Sequence, residues 1–296
     1  MRRPPIPAAT AATDRDFAAE AEAFLDTLDG RRLKSASLPF DSAARFDWHY
    51  IPRRRPGLHL RDMDAGQRRA ALRLVRTALS EHGYATAQGI MALEEVLKDE
   101  AGGGDYDAGN FALAVFGTPE AGPPWGWRVD GHHLSLTFTV AAPGTVTVTP
   151  HFMGANPAAF RHGARRIHNA LGAEEDLARA VIRGLDARQQ GLAVLAGEVP
   201  DDIVAGPGRE DSLRFPAGLP LARMSDSMRD AVVDLVEVYA RRLRPDLADA
   251  EMERLQQAGV DRLHFAWAGG LEPGQPHYYR IHGPTLLIEY DISRDD

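Results

Sequence analysis

The sequence predicts an α+β protein in which strands from the middle and the C-terminal end of the chain join one antiparallel sheet flanked by helices. Three observations predict it. Short β-rich runs cluster at 111–153 and again at 262–291, amphipathic helical stretches fill 14–101 and 173–258, and the two kinds are grouped rather than alternating. The chain has 296 residues, 44% of them hydrophobic, enough to build a sizeable core, and its length is compatible with one domain or two.

Phe17, Ala21, Phe24, Leu25 and Leu28 recur at spacings of three and four, so Asp16–Leu28 reads as a helix stopped by Gly30. A second helix runs from Met63 to Leu79 and a third from Ala85 to Glu100, with Ile90, Leu93 and Leu97 inward. Between the first two, Trp48–Pro52 followed by Arg53, Arg54 and Arg55 reads as a proline-bounded extended segment. Its arginine run is a solvated basic loop or a holder of carboxylate or phosphate. Phe111–Phe116, Trp125–Val129, Leu134–Val140 and Val146–Phe152 read as strands. Helices return with Leu177–Leu192, Met228–Leu243 and a short element from Pro245, and the chain closes on strands at Leu263–Ala268, Tyr278–Ile281 and Leu286–Tyr290. Glu94 and Glu95 read as solvent-facing, and Gly102–Gly104 as a connection without the Lys-Ser/Thr of a phosphate loop.

The formal charge of −8 argues against a nucleic-acid backbone binder. The absence of cysteine removes disulfides, thiolate metal sites and cysteine nucleophiles. No run of about 18 apolar residues is present, and Arg2 and Arg3 are not followed by the apolar segment of an export signal. The expectation is a soluble, cytoplasmic protein with a small-molecule partner, binding neither nucleic acid nor membrane.

Two hairpins aim polar residues. In His133–Val140 strict alternation puts Leu134, Leu136, Phe138 and Val140 on one face and His133, Ser135, Thr137 and Thr139 on the other. A loop at Ala142-Pro143-Gly144 pairs Val140 with Val146 and Phe138 with Val148, and carries His151 opposite Ser135 with His133 diagonally adjacent. Two imidazoles then converge as metal ligands, or simply share a polar face with threonines. His132 points to the apolar face in a regular strand, as core with one ring hydrogen bond, unless a bulge near Gly131 re-aims it. At the C-terminus a turn on Gly283-Pro284 pairs Ile281 with Leu286 and Tyr279 with Ile288. That leaves Tyr278, Arg280, His282 and Glu289 together on the other face. Arg280 beside Glu289 is a cross-strand ion pair, or an anion-fixing arginine beside a metal ligand or general base. Trp125 and Trp127 share a strand face, where they build core or, for Trp127, line a substrate.

The segments Trp48-His49-Tyr50-Ile51-Pro52, Gly131-His132-His133-Leu134-Ser135-Leu136, Pro150–Pro157, Phe265–Gly269, His277–Ile281 and Ile288–Asp291 resemble a bacterial family, domain of unknown function 3500. The resemblance covers nearly the whole chain. It favours one continuous domain over 1–296 and implies no established activity. Relatives continue after the Glu-Tyr-Asp segment with an Asn-His-x-His stretch, whereas this chain ends at Ile292–Asp296. The resemblance therefore implies a site rebuilt without those histidines.

These readings lead to an expected metal-dependent enzyme acting on a small polar or anionic molecule. His133, Arg280 and Glu289 carry the chemistry, while Arg280, Trp127 and Tyr278 contact substrate. His133, His151, Glu289 and His132 hold a divalent transition metal, zinc, iron or copper. The alternatives are a metal-free acid–base enzyme on the same groups and a ligand-binding or scaffold protein without catalysis.

Overall fold

The computed structural model describes residues 11–100, 106–120, 124–142, 145–156, 160–162, 165–167 and 171–292. The protein is α+β, as the grouping of its elements predicts. Its strands, however, do not form the one common sheet expected: the middle strands and the C-terminal strands build separate sheets. The chain divides into two compact units. Unit 1 is Met1–Ala170 with Arg241–Ala250, and unit 2 is Leu171–Ala240 with Glu251–Asp296.

Unit 1 begins with helices α1 (Ala11–Leu25) and α2 (Gly30–Ala36), a short strand β1 (Ser37–Leu38) and a second, β2 (Leu58–His59). Helices α3 (Ala65–Thr77) and α4 (Glu81–Glu100) follow. Asp64 caps α3, accepting from the backbone N–H of Gly66 and Gln67 while Gln67 reaches back to the Asp64 N–H. Strands β3 (Ala112–Phe116), β4 (Trp125–Gly131), β5 (Leu134–Ala142) and β6 (Thr145–Met153) complete a sheet of order β1-β3-β4-β5-β6, with β2 also on β3. A small ribbon of β7 (Phe160–His162) and β8 (Arg165–Ile167) comes after it.

The period-2 pattern sorts the faces of this sheet. One carries Trp125, Trp127, Val129, Leu136 and Phe138, all buried. On it the Trp127 ring lies 4.7 Å from that of Phe138 and 5.0 Å from Phe17 of α1. The other carries Arg128, Asp130, Ser135 and Thr137, which are also buried. Directly opposite Asp130 and Arg128, β3 presents Ala112 and Ala114, whose small side chains leave room for the charged ones, and the Arg128 guanidinium lies over the Phe116 ring at 5.5 Å.

The register of β5 with β6 begins as expected, with Val140 on Val146, Thr139 on Thr147 and Phe138 on Val148. Beyond Phe138 it slips. Leu136, not Ser135, faces His151, because Thr149 and Pro150, joined by a cis peptide bond, together oppose one residue of β5. This β-bulge moves His151 to the Leu136 side of the sheet. At the far end Ala142 pairs with Thr145, and the loop residues 143–144 lie outside the described residues, as do 102–104.

Unit 2 holds α5 (Gly172–Gly184), α6 (Ala187–Ala193), strand β9 (Leu219–Pro220) and α7 (Asp226–Ala240). Helix α8 (Pro245–Ala258) contains the last of the three boundaries between the units, after Ala250. Strands β10 (His264–Gly269), β11 (His277–His282) and β12 (Leu287–Ile292) form with β9 an antiparallel sheet of order β12-β11-β10-β9. The β11–β12 hairpin is two residues out of the expected register, with Ile281 on Ile288 and Tyr279 on Tyr290. Gly283 N–H donates to Leu286 O and closes a longer loop than a Gly-Pro turn. A two-residue shift preserves parity, so Tyr278, Arg280 and Glu289 still share a face. Within unit 2 the rings of Trp267, His277, Tyr279 and Tyr290 stack across three strands, with neighbouring centroids 4.8 to 6.2 Å apart.

Among the described residues, no helix is long and apolar enough to cross a membrane.

Candidate functional site

The site is built at the end of unit 1 where β4 turns into β5. Gly131 pairs directly with Leu134, so His132 and His133 form the whole turn rather than the start of a strand. His133 adopts φ 55, the left-handed region that a turn requires and most side chains avoid. Gly131 is obligatory, since a Cβ there would lie 1.9 Å from the Phe111 ring. The turn is anchored on both sides: His133 N–H donates to Tyr50 O, and His133 O accepts from Gly154 N–H, each at 2.8 Å.

His132 is buried, and its Nδ1 lies 2.6 Å from Oε1 of Glu94 on α4. The reading of Glu94 as solvent-facing is therefore corrected: the residue is 3% exposed. Ala87, Ile90 and Met91 are buried too, so Glu94 falls at the i+7 position of the same buried stripe. The His133 ring stacks on His132 at 4.0 Å, and the Tyr106 ring lies 5.8 Å from that of His132. Burial, reinforced by the neighbouring His132, pushes His133 down to about 3. Tyr50, stacked on Phe152 at 4.6 Å with Trp48 beside both, supplies an aromatic border.

Two residues before His132, Asp130 sits between two buried arginines. Arg55 Nε is 3.3 Å from Oδ1 and Arg128 Nε is 3.6 Å from Oδ2, all three side chains at most 1% exposed. Burial raises the Asp130 carboxyl, opposed by the charges of Arg128 and Arg55. The remaining guanidinium hydrogens go to backbone: Arg128 donates to Ala44 O and Arg45 O, and Arg55 to the carbonyls of His49, Ile51 and Arg53. The Arg55 guanidinium and the hydroxyl of Ser135, the cross-strand partner of Asp130, act on the carboxylate as donors, while Thr137 Oγ1, opposite Arg128, is buried with no hydrogen-bond partner among the described residues. Buried polar atoms in such a state call for a water or a polar ligand. This network was missed in the sequence. Its signal was two charged residues, Arg128 and Asp130, alternating with Trp127 and Val129 inside a strand.

The residues expected to act together are distributed as follows. His132 and His133 share the turn. His151, placed by the bulge on the Leu136 side, does not lie opposite Ser135 as expected, and burial with the nearby Arg242 charge drives it down to about 3. Trp127 lies fully buried in the core. Tyr278, Arg280 and Glu289 belong to unit 2, where Arg280 and Glu289 are direct cross-strand partners. The Glu289 carboxylate accepts from Val204 N–H at 2.7 Å, Ala205 N–H at 2.9 Å and Tyr278 Oη at 2.6 Å, which makes it a clamp on the 203–205 loop. Burial and the Glu289 charge hold the Tyr278 phenol protonated, well above its usual range. Among the described residues, no group of three or more His, Asp or Glu side chains is placed to hold a metal ion.

These features define an α+β protein with a carboxylate–imidazole pair at a hairpin turn, backed by a buried arginine–aspartate network. The chain belongs to the family described as Protein of unknown function (DUF3500), whose model it matches over residues 10–296. No curated protein and no solved structure is significantly similar to it.

Proposed function

We propose that unit 1 carries a metal-free acid–base site for a small polar or anionic molecule, with His132 as the proton-transferring group. The observation that supports this most is the 2.6 Å contact between His132 Nδ1 and the Glu94 carboxylate. A carboxylate on Nδ1 fixes that nitrogen as the donor, so Nε2 is left as the base, the division of labour an imidazole needs in proton transfer. Glu94 is a positioning residue in this reading. His133, held neutral by burial, adds a ring beside the base without adding a charge that would repel a proton in transit. Arg55 and Arg128 supply fixed positive charge close by, favouring a substrate that is anionic or becomes so. The proposal extends to a bacterial, cytoplasmic protein, in keeping with a chain that has no cysteine.

The test is a panel of small carboxylic acids and phosphate monoesters, followed by NMR in D2O for deuterium uptake or cleavage. Wild-type protein is expected to act on at least one, with His132→Asn slower by about 10²- to 10⁴-fold, the usual contribution of a general base. Equal rates in folded wild type and variant would reject the assignment. Stoichiometric zinc, iron or copper in protein purified without tag or chelator would favour the metal-dependent reading instead.

A further inference from the structure

Unit 1 also carries a cleft of about 870 Å3 lined by five arginines and three aspartates. That concentration of positive charge stands out on a chain whose formal charge is −8. The aspartates offset only part of it, three carboxylates against five guanidinium groups, and two of them are turned to helix caps. Asp29 accepts from the N–H groups of Arg31 and Arg32 as the cap of α2 and pairs with the Arg32 guanidinium at 2.6 Å. Asp64 is turned to the first N–H groups of α3. Backbone hydrogen bonds hold both carboxyls below their ordinary range, so both stay ionised while their oxygens face the helix N–H groups. Arg55 is engaged by Asp130. The exposed guanidinium groups of Arg31, Arg54 and Arg61 have no carboxylate within ion-pair distance among the described residues.

Consecutive residues are thus divided. Arg55 turns its guanidinium to Asp130, while Arg54 is left exposed at the cleft. Arg31 comes from α2 and Arg61 from the helical turn after β2, so three separate segments contribute one unpaired cation each. Planar guanidinium forks match carboxylate and phosphate oxygens, and a cleft of this size accommodates a small organic molecule. We infer that this cleft binds a small organic polyanion carrying at least two phosphate or carboxylate groups, held by Arg31, Arg54 and Arg61. The inference concerns binding alone and stands whether or not His132 transfers protons.

The experiment is calorimetric titration of the full chain at low salt with pyrophosphate and, separately, citrate. Saturable binding of either is expected. In the Arg31→Ala/Arg54→Ala/Arg61→Ala variant it should weaken by at least about tenfold, since charged hydrogen bonds of this kind exceed the 1.4 kcal/mol that tenfold represents. Arg214→Ala, an exposed arginine of unit 2, serves as control and should bind like wild type. The single Arg54→Ala variant, which removes one exposed side chain, provides a folded protein if the triple variant does not fold and should weaken binding in the same direction. Pyrophosphate alone binding identifies a phosphorylated ligand, and citrate alone a polycarboxylate. Binding of neither, or binding undiminished in folded cleft variants, overturns the inference.

Discussion

The Nδ1 of His132, in the turn between β4 and β5, lies 2.6 Å from Oε1 of Glu94, 38 residues earlier on α4. Both side chains are buried, so the pair is a structural cross-link as well as the contact that orients the His132 ring. Glu94→Ala should leave a buried imidazole N–H without an acceptor and cost about 1–3 kcal/mol. Glu94→Gln, which retains an oxygen acceptor, should cost less. Urea unfolding measures both, and a downfield ring N–H resonance of His132 should be present in the wild type and absent from the alanine variant.

Asp130 is the only carboxylate in ion-pair range of the buried Arg55 and Arg128 side chains among the described residues. Removing it strands two buried cations. Asp130→Ala should therefore destabilise unit 1 by about 3–5 kcal/mol, far beyond a surface ion pair. Denaturant unfolding of Asp130→Ala against Asp29→Ala, whose pair is exposed, checks the contrast; equal costs would contradict the buried network.

Acid should weaken the fold through His133 and His151, both lowered from 6.5 to about 3. Between those values the unfolded chain takes up protons that the folded chain refuses. Stability present above about pH 6.5 is therefore lost as pH falls toward 3, with a slope of at most about 1.4 kcal/mol per pH unit from each ring. His133→Asn, which tolerates the left-handed turn, and His151→Leu should each flatten the stability–pH profile measured by urea unfolding over roughly pH 7 to 4. An unchanged slope in both variants would contradict the burial of these rings.

Glu289 should matter for stability more than for binding at the unit 1 site. Its carboxylate satisfies the Val204 and Ala205 amides and the Tyr278 hydroxyl. Glu289→Ala should cost about 1–3 kcal/mol and speed hydrogen exchange at those two amides. Retained protection at 204 and 205 would show that the loop is held by something else.

The sequence by itself determined the elements and their faces. Spacings of three and four in Phe17, Ala21 and Phe24 mark α1, and strict alternation in Leu134–Val140 separates core from polar residues without reference to anything distant. Val140 opposite Val146 followed from the same alternation, because a one-residue slip would expose half the apolar set. The tertiary structure alone decided where those faces go. Local patterning does not specify which strands share a sheet, and the middle and C-terminal strands chose different ones. Nor does alternation survive a bulge or a turn. One extra residue at Thr149–Pro150 sent His151 to the other face, and a left-handed His133 turned two expected strand residues into a corner. Glu94 and Asp130 carried the right spacing for burial, yet a charged residue on a buried stripe is stable only where a distant partner meets it. His132 for one and Arg55 for the other come from chain segments far away in sequence, so only the fold could supply them.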